Sequence, residues 1–298
     1  MIVNMSPILA ATDFSPPAEQ AVARAAMLAK QYRTTLHLLH VLPPISWKAF
    51  GKVLLEHPLV TEKQLYDAAR TRLSNVADAC RRQYGIEVAS HVDIGRPHVR
   101  IADYARTHAV GLTVLGPHDG NFARDLFIGS TAFRFLREGT APALIAETAG
   151  QAPYRTVLVA VDFSDISRAA VDAAQKFAPG AAIHALHVYD VLFEGKMRYA
   201  GVEEDVIQQY RTGAETEARR MMQQFLAERG WQGSILPTVR NGSPARTILD
   251  EADSLRADLI VMGRHGRSAL QESFLGSVTE AVLHGLDRDL LVVAAQNT

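Results

Sequence analysis

The stretch VMGRHGRSALQESFLGSVTEAVL, residues 261–283, joins an apolar run to a glycine-rich loop and then to a helical pattern. The loop contains Gly263, Gly266 and Gly276, and Ser277 follows the last of them. Glycine lets the backbone adopt positive φ and approach a ligand closely. Consecutive N–H groups in such a loop and at a helix start can bind an anion. The stretch therefore predicts a strand, a loop suited to phosphate groups, and a helix.

Side chains of the same loop support that interpretation but leave an alternative open. Arg264 and His265 add positive charge, and Ser277 can donate its hydroxyl to a phosphate oxygen. However, Ser277 and Glu280 also have the spacing of a helix capping box, and the glycines fit simple turns. The spacing matches neither the P-loop nor the three-glycine dinucleotide fingerprint.

The chain repeats this pattern, because ILAATDFS from Ile8 matches VLVAVDFS from Val157 and FIGSTAF matches FLGSVTE. Each copy has the length of a whole domain. We expect two domains, 1–149 and 153–298, joined near the segment ETAGQAPYR.

Within each copy, short apolar runs alternate with helical patterns, including a long helix at about 202–229. This alternation predicts an α/β fold: two tandem doubly wound domains, each a five-stranded parallel sheet with helices on both faces. Such Rossmann-like sheets bind ligands at the carboxyl ends of their strands. In the second copy, Asp162, Val188 and Gly242 follow the first three strands. Asp162 can accept hydrogen bonds from a ribose or cap the next helix.

Composition restricts the function. The 298 residues carry a formal net charge of -1, which gives no overall field for nucleic acid or an anionic membrane. A single cysteine, the lack of a signal-peptide pattern and the lack of an apolar run near 20 residues predict a cytoplasmic protein. His37 and His40, like His184 and His187, are three residues apart on strands, which favours packing over a metal site.

Taken together, Gly263-x2-Gly266-x9-Gly276-Ser277, the VDFS start, Gly242-Ser243-Pro244 and the GSVTEAVL helix resemble the universal stress protein family. The resemblance covers both halves and implies a tandem member with an adenine-nucleotide-binding fold. It also implies ATP as the ligand, with Mg²⁺ as a possible companion. One departure is Asp289, which stands where the first copy has Pro142.

The resemblance assigns ligand contacts position by position. In the second domain the binding residues are Asp162, Val188, Gly242, Gly263, Arg264, His265, Gly266, Gly276, Ser277 and Val278. The corresponding residues of the first domain are Asp13, Val41, Gly95, Gly116, Gly129 and Ser130.

The first copy departs from the glycine pattern. Asp119 replaces the middle glycine, Gly120 comes one residue late, and Pro117 follows Gly116. Proline removes a backbone donor, and a carboxylate repels phosphate. We therefore predict weak or absent ATP binding in the first domain, unless a loop shift lets Gly120 substitute.

Three functions fit these features. The first is an ATP-binding stress-response or regulatory protein without true turnover. The second is a slow ATPase or phosphotransfer enzyme, for which no motif selects a base among His265, Asp162 and Glu272. The third is an interaction module with no nucleotide.

The family also implies pairing of the two domains through their last strands, and a possible homodimer. Trp47 and Phe50 lie in an apolar segment expected to cover a pocket or pack on the other domain.

Overall fold

The computed structural model describes residues 6–44, 62–117, 129–138, 141–148, 152–191, 194–266 and 275–294. The chain divides into two compact units, called here the first unit (Met1–Ala152) and the second unit (Pro153–Thr298). Within the described part, no helix is long and apolar enough to cross a membrane. Trp47 and Phe50 lie outside the described residues.

The first unit is built on a parallel sheet. Its strands are β1 (Ile8–Ala11), β2 (Leu36–Leu42), β3 (Val88–Ile94), β4 (Leu112–Leu115) and β5 (Ala143–Ile145). Their spatial order is β3-β2-β1-β4-β5, and the described pairings are parallel. The direction of strand order therefore reverses between β1 and β4, where sheets of this kind bind ligands.

Helices cover both faces of this sheet. They are α1 (Pro16–Tyr32), α2 (Glu62–Tyr84), α3 (Pro97–Thr107) and α4 (Ser130–Glu138). Helix α1 packs against α2, and α3 packs against α4. Right-handed crossovers place these two pairs on opposite faces, because the strand order reverses between them.

The second unit repeats this topology. Its strands are β6 (Thr156–Ala160), β7 (Ala182–Tyr189), β8 (Ile235–Asn241), β9 (Leu259–Gly263) and β10 (Asp289–Val293). Their order is β10-β9-β6-β7-β8, again with parallel pairings. The helices are α5 (Asp165–Phe177), α6 (Glu194–Tyr199), α7 (Glu204–Ala227), α8 (Pro244–Leu255) and α9 (Ser277–His284).

The predicted fold class is confirmed. The apolar runs form buried strands, as expected of a parallel sheet covered on both faces; all described residues of β4 and β10 are buried. The long helix predicted at about 202–229 is α7, which spans Glu204–Ala227. A separate short helix, α6, precedes it. Asp289 is fully buried at the start of β10, where the Tyr154 hydroxyl donates to it at 2.6 Å.

Candidate functional site

Predicted site residues of the second unit lie at the carboxyl edge of the sheet. Asp162 follows β6, Gly242 follows β8, and Gly263 is the last residue of β9. Val188 lies inside β7 rather than just past it, because that strand continues to Tyr189. The ends of β7 and β8 are paired in register, so these positions share one edge.

Several hydrogen bonds connect Asp162 to the turn that starts α5. Its Oδ1 accepts hydrogen bonds from the Ser164 N–H (3.1 Å), the Ser164 hydroxyl (2.5 Å) and the Ser167 hydroxyl (2.6 Å). The Asp162 N–H donates to Ser167 Oγ at 2.9 Å. Ser164 is the N-cap of α5. The alternative that Asp162 itself caps the helix is therefore wrong, although its Oδ1 accepts hydrogen bonds from the turn that starts α5. The second carboxylate oxygen, Oδ2, accepts none of these bonds.

That second oxygen faces the glycine loop. A β-carbon built on Gly266 would lie 2.8 Å from Asp162 Oδ2. Any side chain at Gly266 would therefore press on the carboxylate. The structure brings together the two parts of the predicted site, the strand-one aspartate and the middle glycine of the loop.

The two ends of the loop are tied to each other. The N–H of Arg264 donates to the Val293 carbonyl and the N–H of Gly276 donates to the Arg264 carbonyl, each at 2.8 Å. A β-carbon on Gly276 would lie 3.1 Å from the α-carbon of His265. The Arg264 side chain is buried and His265 is half-buried. The two ends of the loop, called here the loop base (Gly263–His265 and Gly276), therefore pack closely together.

Gly263 has a packing role. A β-carbon at Gly263 would overlap the Ile166 side chain, and at Gly116 it would lie 3.0 Å from the backbone of Pro17. Both glycines allow the helix after the first strand to approach the end of the fourth strand.

Ser277 is the first residue of α9, and Gly276 is the N-cap. The alternative in which Ser277 caps the helix as part of a capping box is therefore wrong. The Ser277 side chain is exposed. The first N–H groups of a helix have no partner within the helix and carry partial positive charge. Val278 follows in the same turn, half-buried.

Gly242 and Gly95 occupy equivalent turns after the third strand of each unit. Their φ angles are +149° and +152°, and a β-carbon at Gly242 would lie 2.7 Å from Thr247 Oγ1. Ser243 is at the N-cap of α8, but its side chain makes no capping hydrogen bond.

Sequence reasoning missed two residues that shape the site. Ser167 is buried and bonds Asp162, and the buried Thr279 donates from Oγ1 to the Gly263 carbonyl at 2.9 Å. Comparison of the two copies could have pointed to them, because the first copy has Ala18 and Ala132 at the positions of Ser167 and Thr279.

A repeated turn follows the first strand of each unit. Phe14 and Phe163 have φ of +65° and +67°. Their rings lie 4.4 and 4.2 Å from the rings of His40 and His187. The Nδ1 atom of His187 is 2.9 Å from the Val161 carbonyl, so this nitrogen donates. These histidines pack and bond within their units, and no cluster suited to a metal occurs among the described residues.

The first unit places its corresponding residues on the same edge. Asp13, Val41, Gly116 and Gly129 line a cavity of about 90 Å³ at the carboxyl ends of β1, β2 and β4. Ser130 begins α4. Asp119 and Gly120 lie outside the described residues.

The fold defines a tandem α/β protein in which both repeats place predicted site residues at the carboxyl edge of the sheet. The sequence model described as the Universal stress protein family matches residues 5–147 and again residues 153–294. The chain therefore belongs to the universal stress protein family and contains two copies of its domain.

Relatives cover the whole chain. A universal stress protein of Mycolicibacterium smegmatis is 27% identical over 299 residues, covering 96% of each chain. Universal stress protein Rv1996 of Mycobacterium tuberculosis is 24% identical over 311 residues, covering 96% of this chain and 94% of the relative. A solved universal stress protein from Archaeoglobus fulgidus covers 97% of this chain and 98% of its own, with TM-score 0.69 and 20% identity. That likeness shows the shared fold.

Proposed function

We propose that the chain is an ATP-binding stress-response or regulatory protein whose nucleotide site lies in the second unit. The observation that carries the proposal is the approach of Asp162 Oδ2 to Gly266, in the loop that leads to the glycine N-cap of α9. This arrangement offers a carboxylate for ribose hydroxyl groups and helix N–H groups for phosphates, within one edge of the sheet.

The residues present fit ATP. Gly242 and Val188 lie at the neighbouring strand ends that would meet the sugar and base. Gly276 and Ser277, at the start of α9, would hold the phosphates with Gly263, Arg264, His265, Gly266 and Val278 around them. If Mg²⁺ accompanies the nucleotide, Asp162 Oδ2 is the described carboxylate oxygen next to the loop. ATP supplies a charged ligand that can favour one conformation over another.

Isothermal titration calorimetry of ATP into the full chain tests this function. Gly266→Val should abolish binding, because its side chain would meet the Asp162 carboxylate. The control is Gly195→Ala on α6, where an added β-carbon meets no atom within 4 Å. Failure of the wild type to bind ATP, or equal binding by Gly266→Val, would overturn the proposal.

Slow ATP hydrolysis or phosphotransfer is separated from simple binding by measuring phosphate release under single-turnover conditions. Turnover would need a base, or a residue that positions the attacking water, in addition to the glycine loop and the start of α9. The interaction module without nucleotide predicts that the purified chain neither carries nor binds ATP. Domain pairing, a homodimer, cytoplasmic location and the absence of nucleic-acid binding stay predictions.

A further inference from the structure

A histidine lies near the end of the second strand of each unit, His40 in β2 and His187 in β7. Its Nδ1 atom approaches the first carbonyl oxygen beyond the first strand, at 2.7 Å for Thr12 and 2.9 Å for Val161. A carbonyl oxygen only accepts hydrogen bonds, so Nδ1 carries a proton in both rings. Each histidine is therefore a donor to the residue that precedes the aspartate of the predicted site.

The same imidazole rings also contact the residue that follows this aspartate. The ring centroids of Phe14 and His40 are 4.4 Å apart, and those of Phe163 and His187 are 4.2 Å apart. One side chain of the second strand thus contacts both chain neighbours of the aspartate. In each unit the aspartate is the single residue between these two contacts.

Phe14 and Phe163 adopt a backbone conformation that bulky residues rarely hold. Their φ angles are +65° and +67°, and such strain persists only where the surrounding contacts offset it. In the second unit the Phe163 ring also lies 5.6 Å from the Phe225 ring of α7. Backbone strain of this kind occurs preferentially at binding and catalytic sites, and here it sets the direction in which the chain leaves the aspartate.

An arginine bonds the carbonyl of the strained phenylalanine in both units, but from different helices. Arg72 of α2 donates from Nη2 to the Phe14 carbonyl at 3.2 Å. Arg168 of α5 donates from Nη1 to the Phe163 carbonyl at 3.1 Å. The two positions do not correspond, since Glu19 is the counterpart of Arg168 in the first copy. The geometry of the turn is therefore what both units share, although the arginines that hold it differ.

We propose that His187 is a positioning residue for Asp162. Its N–H donor fixes the Val161 carbonyl and its ring packs against Phe163, so the carboxylate is directed before a ligand binds. The approach of Asp162 Oδ2 to Gly266 is the result of that direction. The inference rests on the proposed function, because Asp162 is the carboxylate proposed for the ribose. A preorganised group loses less freedom on binding, so an unsupported Asp162 should bind ATP more weakly.

Two substitutions separate the donor of His187 from its ring. His187→Phe keeps an aromatic ring beside Phe163 and removes the donor. His187→Asn removes the ring and keeps a donor, because asparagine Nδ2 is joined to Cγ as histidine Nδ1 is. In calorimetric titrations of ATP into the full chain, His187→Phe should lower affinity about 3- to 10-fold, as for one lost hydrogen bond, and His187→Asn less than about 2-fold. Equal losses in the two variants would overturn the role of the donor.

A double-mutant cycle tests whether His187 acts through Asp162. Asp162→Ala alone should lower ATP affinity. Adding His187→Phe to Asp162→Ala should then change affinity less than about 2-fold, because residues that act as one network are not additive. Full additivity of the two losses would show that His187 acts elsewhere and would overturn the proposal.

Two control variants separate positioning from a general loss of stability. Ile183 is buried at the opposite end of β7, so Ile183→Val should lower the urea midpoint of unfolding and leave ATP affinity unchanged. His40→Phe removes the equivalent donor of the first unit and should also leave ATP affinity unchanged. A loss in either control as large as that of His187→Phe would overturn the assignment.

Circular dichroism checks that each variant folds. If His187→Phe does not fold, NMR of the wild type with ¹⁵N-labelled histidine decides, with the His187 signal identified by its loss in His187→Asn. A ring protonated at Nδ1 supports the proposal, and a ring protonated at Nε2 alone overturns it. Absence of ATP binding to the wild type overturns the proposed function and with it this role. ATP binding that His187→Phe does not weaken overturns the role of His187 alone.

Discussion

The Ser167 hydroxyl donates to Asp162 Oδ1 at 2.6 Å from one turn inside α5. The bond fixes the carboxylate so that its other oxygen faces Gly266. Ser167 is thus a positioning residue for the candidate site of the second unit.

Ser167→Ala should lower ATP affinity roughly 3- to 10-fold and destabilise the second unit by about 1–2 kcal/mol, because a charged acceptor loses one of its donors. Calorimetry and chemical denaturation measure the two effects. The control is Ser234→Ala, which removes a hydroxyl bonded to the Trp231 carbonyl far from the site. Unchanged ATP affinity in Ser167→Ala would show that Asp162 needs no such positioning.

Thr279→Val should loosen the loop base, because it removes the 2.9 Å hydrogen bond to the Gly263 carbonyl while keeping the side-chain shape. We expect a loss of about 1–2 kcal/mol in unfolding free energy and weaker ATP binding. Thr216→Val is the control, since the Thr216 hydroxyl also bonds a backbone carbonyl but on the exposed surface of α7. Equal effects of the two changes would argue against a special role of Thr279.

Gly242→Ala should destabilise the second unit by about 1–3 kcal/mol, because φ is +149° and the new β-carbon would meet Thr247 Oγ1. Gly213→Ala, inside α7 with open space around it, should instead stabilise by about 0.5–1 kcal/mol. Urea denaturation compares both variants with the wild type. A neutral Gly242→Ala would mean that the turn tolerates a side chain.

Acid should destabilise the first unit through His37. Its Nδ1 lies 3.1 Å from the Tyr104 hydroxyl, its ring is 5.6 Å from that of His108, and His91 stacks on Tyr104. Burial, and then the charge of His108, lower the pKa of His37. The unfolded chain therefore takes up a proton first, at about pH 6.5. Stability is complete above that pH and is lost as the pH falls through the lowered pKa.

Urea midpoints at pH 7.5 and pH 5 measure this effect. His37→Gln should lose less stability on acidification than the wild type does. The matched control is His184→Gln at the corresponding position of the second unit. The interpretation fails if both variants change the pH profile equally.

Much of the fold was predictable because its signals are local. Apolar runs alternating with helical patterns, repeated twice, led to two five-stranded parallel sheets, and Ser277 was recognised as a helix start. The alternation of strands and helices also predicted that Gly242 and Gly263 lie at the carboxyl edge of the sheet.

What sequence reasoning missed depends on tertiary contacts. The bond of Thr279 to the Gly263 carbonyl and the packing of Gly263 on Ile166 join residues that are distant in the sequence. The bond of Ser167 to Asp162 is local, but its geometry depends on how the turn before α5 folds. The cavity of the first unit is lined by residues of several strands and helices together, so comparison of the loop sequences alone could not reveal it.

Photoaffinity labelling of the full chain with 8-azido-ATP, followed by peptide mapping, tests the central claim most directly. The account predicts labelled peptides from residues 153–298, competed by ATP and lost in Gly266→Val. Labelling confined to residues 1–152, or labelling that ATP does not compete, would contradict it.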